Sequence, residues 1–201
     1  SDLQFNTYFD ILFYLAAGLL ILRKKYGWII PLMALAALNR ETSGLIPIML
    51  FGHLVYRRPL KRISIKNSII FMSAMFVYGV IFFGLRTFYN PQELVIPYGH
   101  PPGWELFSFN VQRPVTWIQL FKTLGLLPLL AVFSFKKWPR SLQSFFLVIV
   151  PVWFIIHLFY SVMAETRLLL VPFALVFVPG TLLGIIGTTG KEKNSIPILS
   201  D

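Results

Sequence analysis

The stretch GWIIPLMALAALNRETSGLIPIMLFGHLVY, residues Gly27–Tyr56, decides how this chain is read. Its two apolar runs, Trp28–Leu38 and Leu45–Leu54, are each shorter than the roughly 20 residues that carry a helix across a bilayer. Between them stands Asn39-Arg40-Glu41-Thr42. Charge near membrane depth is costly and is usually kept for a pathway, a binding site or a structural ion pair. The pattern predicts two short helices hinged at Asn39–Gly44, a hairpin that goes in and comes back. A broken element of this kind is tolerated in lipid only where it lines a cavity or is buried in protein.

Working outward, four segments reach full spanning length: Ser68–Phe88, Thr116–Phe135, Ser141–Ala164 and Arg167–Gly187. Phe5–Leu22 is slightly shorter and holds Asp10 near its start. The expected fold is therefore all-α and polytopic, with about five full spans plus the two-short-helix hairpin at 27–56, residues 1–201 forming a single transmembrane domain. Composition agrees: 56% of residues are hydrophobic, 13% are charged and mean hydropathy is +0.71, values of a membrane protein and not of a soluble domain. The chain starts at Ser1 with no signal-peptide pattern behind it, which reads as an N-terminally truncated fragment. With no cysteine, neither a disulfide framework nor a thiolate metal site is available.

The net charge of +10 does not indicate nucleic acid, because the basic residues cluster in short loops between apolar runs. Arg23, Lys24 and Lys25 form one cluster, and Arg57, Arg58, Lys61, Arg62 and Lys66 a second. Lys136, Lys137 and Arg140 form a third, Lys191 and Lys193 a fourth. The positive-inside rule places the loops 23–25, 57–66, 136–140 and 191–193 in the cytoplasm, and the helix count agrees if 27–56 is a hairpin. The opposite face then receives Ser1–Thr7, the Asn39–Thr42 hinge, the loop 89–115 and Glu165–Arg167. Six of the eight acids, Asp2, Asp10, Glu41, Glu93, Glu105 and Glu165, fall on that extracytoplasmic side. The bias has two readings: a few acids fell there by chance, or the chemistry lies on that face. The loop Tyr89–Val115, with Pro91, Pro97, Gly99, Pro101, Pro102, Gly103, Tyr98, Trp104 and Phe107, has no obvious secondary structure. It is long enough to be functional and aromatic enough to lie on the membrane surface.

Each candidate site residue carries two readings. Arg40 and Glu41 are either parts of a structural helix break, with Arg40 paired to a neighbouring acid, or a cavity-lining pair. In the second case Arg40 binds an anionic group, since guanidinium matches phosphate geometry, and Glu41 serves as a base or holds a sugar hydroxyl. Asn39 and Thr42 are suited to cap the two helix ends that meet there. Glu165 and Arg167 form either a solvated turn or, because the chain runs at once into Leu-Leu-Leu-Val-Pro172, a site for a headgroup phosphate. Lys122 snorkels or faces the cavity. Arg86 and Arg113 read as interface anchors. Asp10 suits a structural partner such as Lys122 or an arginine as well as it suits catalysis, and His157 reads as a satisfied interior histidine. His53 and His100 have no metal-ligand spacing, and no phosphate-cradling glycine loop, Gly-x-Ser-x-Gly elbow or His-Glu-x-x-His occurs. Gly180-Thr-Leu-Leu-Gly184 matches a small-residue packing pattern that is weak evidence in apolar sequence. No metal site and no cofactor are evident, and nothing supports a divalent cation.

Two of these segments carry a resemblance. Ala37-Leu-Asn-Arg-Glu-Thr-Ser43 leading into Leu45-Ile-Pro-Ile-Met-Leu50, and Glu165-Thr-Arg-Leu-Leu-Leu-Val-Pro172, resemble elements of bacterial polytopic proteins similar to the GT-C glycosyltransferases. The likeness covers the middle and C-terminal parts of such a membrane domain. It implies transfer of a sugar, with inversion, from a polyprenyl-phosphate carrier on the extracytoplasmic side of the bacterial inner membrane. A carboxylate takes the acceptor proton, and cations stabilise the departing lipid phosphate. In that family the carboxylate usually lies in the first extracytoplasmic loop, so the catalytic base is expected upstream of Ser1, and its role is not carried over to Asp10 or Glu41. Arg40 and Arg167 are the candidates for phosphate binding, Glu41 and Glu165 their orienting partners, and Asn39, Asp10, Arg86 and Lys122 secondary candidates. The rival readings are a transporter or flippase of a lipid-linked or anionic substrate, and a non-catalytic membrane subunit. A transporter predicts a second broken element in a related position, and the sequence displays none.

Overall fold

The structure, a computed structural model, describes residues 5–56, 63–89, 96 and 99–192, with side chains to 186. Among the basic clusters Arg57, Arg58, Lys61, Arg62 and Lys193 lie outside the described residues, as do Asp2, Glu93, Asp201 and the loop residues Pro91, Pro97 and Tyr98. The described residues are mostly helical, with no strand among them.

Among the described residues four helices are long and apolar enough to span a membrane, and a bent pair makes a fifth if it is counted as one span. The first is α1 (Phe5–Leu22). It is followed by a 3-10 turn, Tyr26–Trp28, and α2 (Ile29–Asn39), then a second 3-10 turn, Glu41–Gly44, and α3 (Leu45–Val55). The two short apolar helices of the expected hairpin are thus present, hinged where the charges stand. The second full span is α4 (Ile65–Tyr89). After it, α5 (Trp104–Gln112) forms within the segment expected as an irregular loop, so nine residues of 89–115 make a helix with a buried side, Leu106 and Asn110.

The expected single span Thr116–Phe135 is two helices, α6 (Pro114–Leu124) and α7 (Leu127–Ser134), bent by 66°. Gly125 sits at the bend with φ 56°, the left-handed conformation that favours glycine, and Pro128, in the first turn of α7, lacks the N–H that a continuous helix would use. The third full span is α8 (Arg140–Tyr160). The fourth starts in a 3-10 turn, Thr166–Leu169, and continues through α9 (Leu170–Pro172), a π-helical turn at Phe173–Phe177 and α10 (Val178–Glu192).

The core lies among α1, α2, α3, α8 and the last span, where Tyr14, Ile21, Met33, Ile46, Met49, Leu50, Ile149, Trp153 and Leu169 are fully buried. Helix association in lipid relies on close packing at small residues. Gly18 lies under Leu175 and Phe145, and Gly52 under Val148. The Gly180–Gly184 pattern is used in the same way: Trp138 and Ser134 press on the two glycines, and both donate to the Gly180 carbonyl, at 2.9 and 3.1 Å. By contrast α4 buries only Ala74 and presents Ile69, Met72, Phe76, Val80 and Phe83 outward, a stripe suited to lipid.

Candidate functional site

The first break is organised by the backbone of Arg40. Its φ of −156° and ψ of 151° are extended, and in extended chain successive side chains point to opposite sides. Arg40 therefore turns to α1 while Glu41 turns to α4. Arg40 Nη1 donates to Asp10 Oδ2 at 3.1 Å, and Asn39 Nδ2 donates to Asp10 Oδ1 at 2.8 Å and to the Asn6 carbonyl at 2.9 Å. Asp10 is buried, with 1% of its side chain exposed, against 25% for Arg40. The pair thus buries its acid and leaves the guanidinium partly open. On the other side Arg86 Nη2 donates to Glu41 Oε1 at 2.7 Å, with both side chains well exposed.

Glu41 consequently orients Arg86 and not Arg40, and the orienting acid of Arg40 is Asp10. Nor do Asn39 and Thr42 cap the helix ends. The Asn39 amide is taken by Asp10 and Asn6, and the Thr42 hydroxyl is buried without a partner among the described residues. Neither helix end has a side-chain cap; Ser43 Oγ instead donates to the Arg40 carbonyl at 2.7 Å and closes the 3-10 turn. Gly44 lets Tyr78 close over the turn: a Cβ there would lie 2.7 Å from the Tyr78 ring. The Tyr78 hydroxyl donates to the Glu41 carbonyl at 2.8 Å.

The second break, 161–169, is held by α5 and α8. Asn110, fully buried, donates to the carbonyls of Leu158 and Ser161 at 2.9 and 2.8 Å and accepts from the Met163 N–H at 3.0 Å. All three polar hydrogen-bonding sites it uses satisfy backbone freed by the end of α8, the requirement for irregular chain at membrane depth. Glu165 and Arg167 pair with each other as expected, Nη2 to Oε2 at 2.8 Å. Lys122 is exposed on α6 and is no partner of Asp10.

One buried contact joins the two breaks. Tyr14 donates to the Thr42 carbonyl at 2.5 Å, and Trp153 donates to the Leu168 carbonyl at 2.6 Å. Their rings meet edge to face with centroids 5.4 Å apart. His157 stacks on Trp153 at 4.9 Å, its Nδ1 2.8 Å from the Trp153 carbonyl. A carbonyl only accepts, so Nδ1 carries the proton in this contact. Tyr14, Trp153, Tyr78 and Asn110 were not legible as site-building residues, because aromatic and amide side chains inside apolar runs read as core.

Arg40 has Asp10 as its hydrogen-bond partner among the described residues, through one N–H of the five a guanidinium offers. The partly exposed remainder is suited to an anion, held in place by a buried carboxylate that is itself fixed by Asn39. Among the described residues no three histidine or acidic side chains converge as metal ligands do. The chain matches no protein-family model, no curated protein and no solved structure.

Proposed function

We propose that this membrane-embedded chain is part of a GT-C-like glycosyltransferase of a bacterial inner membrane, using a sugar carried on polyprenyl phosphate at the extracytoplasmic face. The observation that carries the reading is the state of Arg40: anchored through one N–H to buried Asp10, with the rest of the guanidinium partly exposed. A cation fixed before the reaction stabilises the charge that develops on the departing phosphate without having to reorganise. Arg167, oriented by Glu165, is the second cation at the same end of the bundle, tied to the first break through Tyr14 and Trp153. No base is assigned among the described residues. The test is Arg40→Ala and Arg167→Ala in the full-length protein, assayed for transfer from a polyprenyl-phosphate sugar. Transfer is expected to fall at least tenfold in Arg40→Ala, about what one charge-assisted hydrogen bond supplies. Unchanged transfer in both variants overturns the reading.

A specific observation favours transport as the second reading. The 66° bend at Gly125 adds a second interrupted element to the one at Arg40. Discontinuous helices in pairs are how many transporters build their substrate sites. Counterflow uptake of a lipid-linked or anionic solute into proteoliposomes, with no sugar transfer, decides for it.

A further inference from the structure

α5 presents three sides of different chemistry. Leu106 and Asn110 are buried against the end of α8. Trp104 and Phe107 stack with Phe159, at 5.6 and 4.8 Å, and Trp104 is 73% exposed. Exposed aromatic rings at the end of a span belong to the membrane–water interface. The third side borders an open cleft of about 520 Å³ lined by His100, Glu105, Ser108, Phe109, Gln112 and Arg113. Five of those six residues are polar, whereas the groove between α1, α8 and α10 is lined by apolar side chains such as Leu19, Leu142, Phe145 and Leu182 and suits lipid tails.

Charge is ordered along the cleft. The Arg113 guanidinium lies over the Phe109 ring at 5.2 Å, and the His100 ring is 4.5 Å from the same phenyl group, so one end carries the cationic donor. Glu105 lines the other end, about 12 Å away along the helix at 1.5 Å per residue, and makes no ion pair among the described residues. The Arg113 guanidinium folds back over Phe109, one turn nearer to Glu105, and so shortens that separation. Ser108 and Gln112 line the cleft between these ends.

We propose that this cleft binds a zwitterion in which a phosphate and a primary ammonium are joined by a short linker, the chemistry of phosphoethanolamine. The phosphate faces Arg113, since guanidinium geometry suits it, and the ammonium N–H groups donate to Glu105. A primary amine fits better than a quaternary one: quaternary ammonium groups are recognised by aromatic faces, and the Phe109 face is occupied by Arg113. The ligand is either a phospholipid headgroup at the interface or the free soluble zwitterion, and the two are separable by experiment.

The test reconstitutes the protein in phosphatidylcholine nanodiscs doped equally with phosphatidylethanolamine and phosphatidylglycerol and quantifies the lipids retained after re-extraction. Phosphatidylethanolamine is expected to be enriched over phosphatidylglycerol by about tenfold, the ratio one charge-assisted hydrogen bond represents. Glu105→Gln, at an exposed position, is expected to abolish that enrichment. Arg113→Gln is expected to lower retention of both lipids. Titration with soluble O-phosphoethanolamine separates the sources: displacement of the lipid at millimolar concentration assigns the free zwitterion as sufficient, and no displacement assigns the headgroup. Equal retention of the two lipids by the unaltered protein, or an enrichment unchanged in a folded Glu105→Gln variant, overturns the proposal.

Discussion

Tyr14 and Trp153 meet edge to face at 5.4 Å, and each donates its single polar hydrogen to the backbone of a different interrupted helix. The contact joins the turn at Glu41–Gly44 to the turn at Thr166–Leu169. Removing the hydroxyl in Tyr14→Phe leaves the Thr42 carbonyl without that donor and is expected to lower stability by about 1 kcal/mol, the scale of interhelical hydrogen bonds in membranes. Tyr14→Ala also opens a cavity and is expected to cost about 3–5 kcal/mol. Unfolding in mixed micelles measures both, and equal losses in the two variants would contradict the packing role of the ring.

The two ion pairs of the first break are unequal. Asp10→Ala strands a partly buried guanidinium and the Asn39 amide and is expected to cost about 3 kcal/mol. Glu41→Ala removes an acid from a well-exposed pair and is expected to cost about 0–1 kcal/mol. The same unfolding measurement, repeated at high salt, should narrow the Glu41→Ala difference and leave the Asp10→Ala difference in place.

Gly180 and Gly184 are predicted to tolerate nothing larger. Each substitution by Leu pushes on Trp138 or Ser134 and is expected to cost about 1–3 kcal/mol or to prevent insertion of a folded protein. Gly79→Ala and Gly84→Ala on α4, where an added Cβ meets nothing within 4 Å, are the matched controls. They are expected to be neutral or to stabilise by about 0.5 kcal/mol.

Asn110→Leu removes three hydrogen bonds at once and leaves the carbonyls of Leu158 and Ser161 without that donor. About 2–3 kcal/mol is expected to be lost, and the loss is local. Limited proteolysis should then cut within 99–113 faster than in the unaltered protein, while the core spans remain protected.

Much of this architecture was readable because lipid imposes a length on apolar sequence. Four full spans and the hairpin hinged at Arg40 follow from counting apolar residues between charges, and the position of Asp10 one buried turn into α1 already required a partner. What counting misses is bending within an apolar run. Gly125 and Pro128 are the signal for the 66° break, but glycine and proline are common in membrane helices and do not by themselves dictate a bend. Partner choice was the other gap. Adjacent Arg40 and Glu41 read as one site until the extended backbone of Arg40 sent them to different helices, and no composition rule yields a φ angle. α5 was hidden by the prolines and glycines around it, since its stability rests on Asn110 and Leu106 docking to α8 and not on its own periodicity.

The extended backbone at Arg40 has a mechanical consequence. A single peptide unit separates a side chain bonded to α1 from a side chain bonded to α4, and the Tyr14 and Tyr78 hydroxyls grip the carbonyls just beyond it. One residue of chain thus stands between the contacts made to α4 and the buried Asp10. The turn is a splice between an outer helix and the core, and the partly open Arg40 guanidinium sits on its core side.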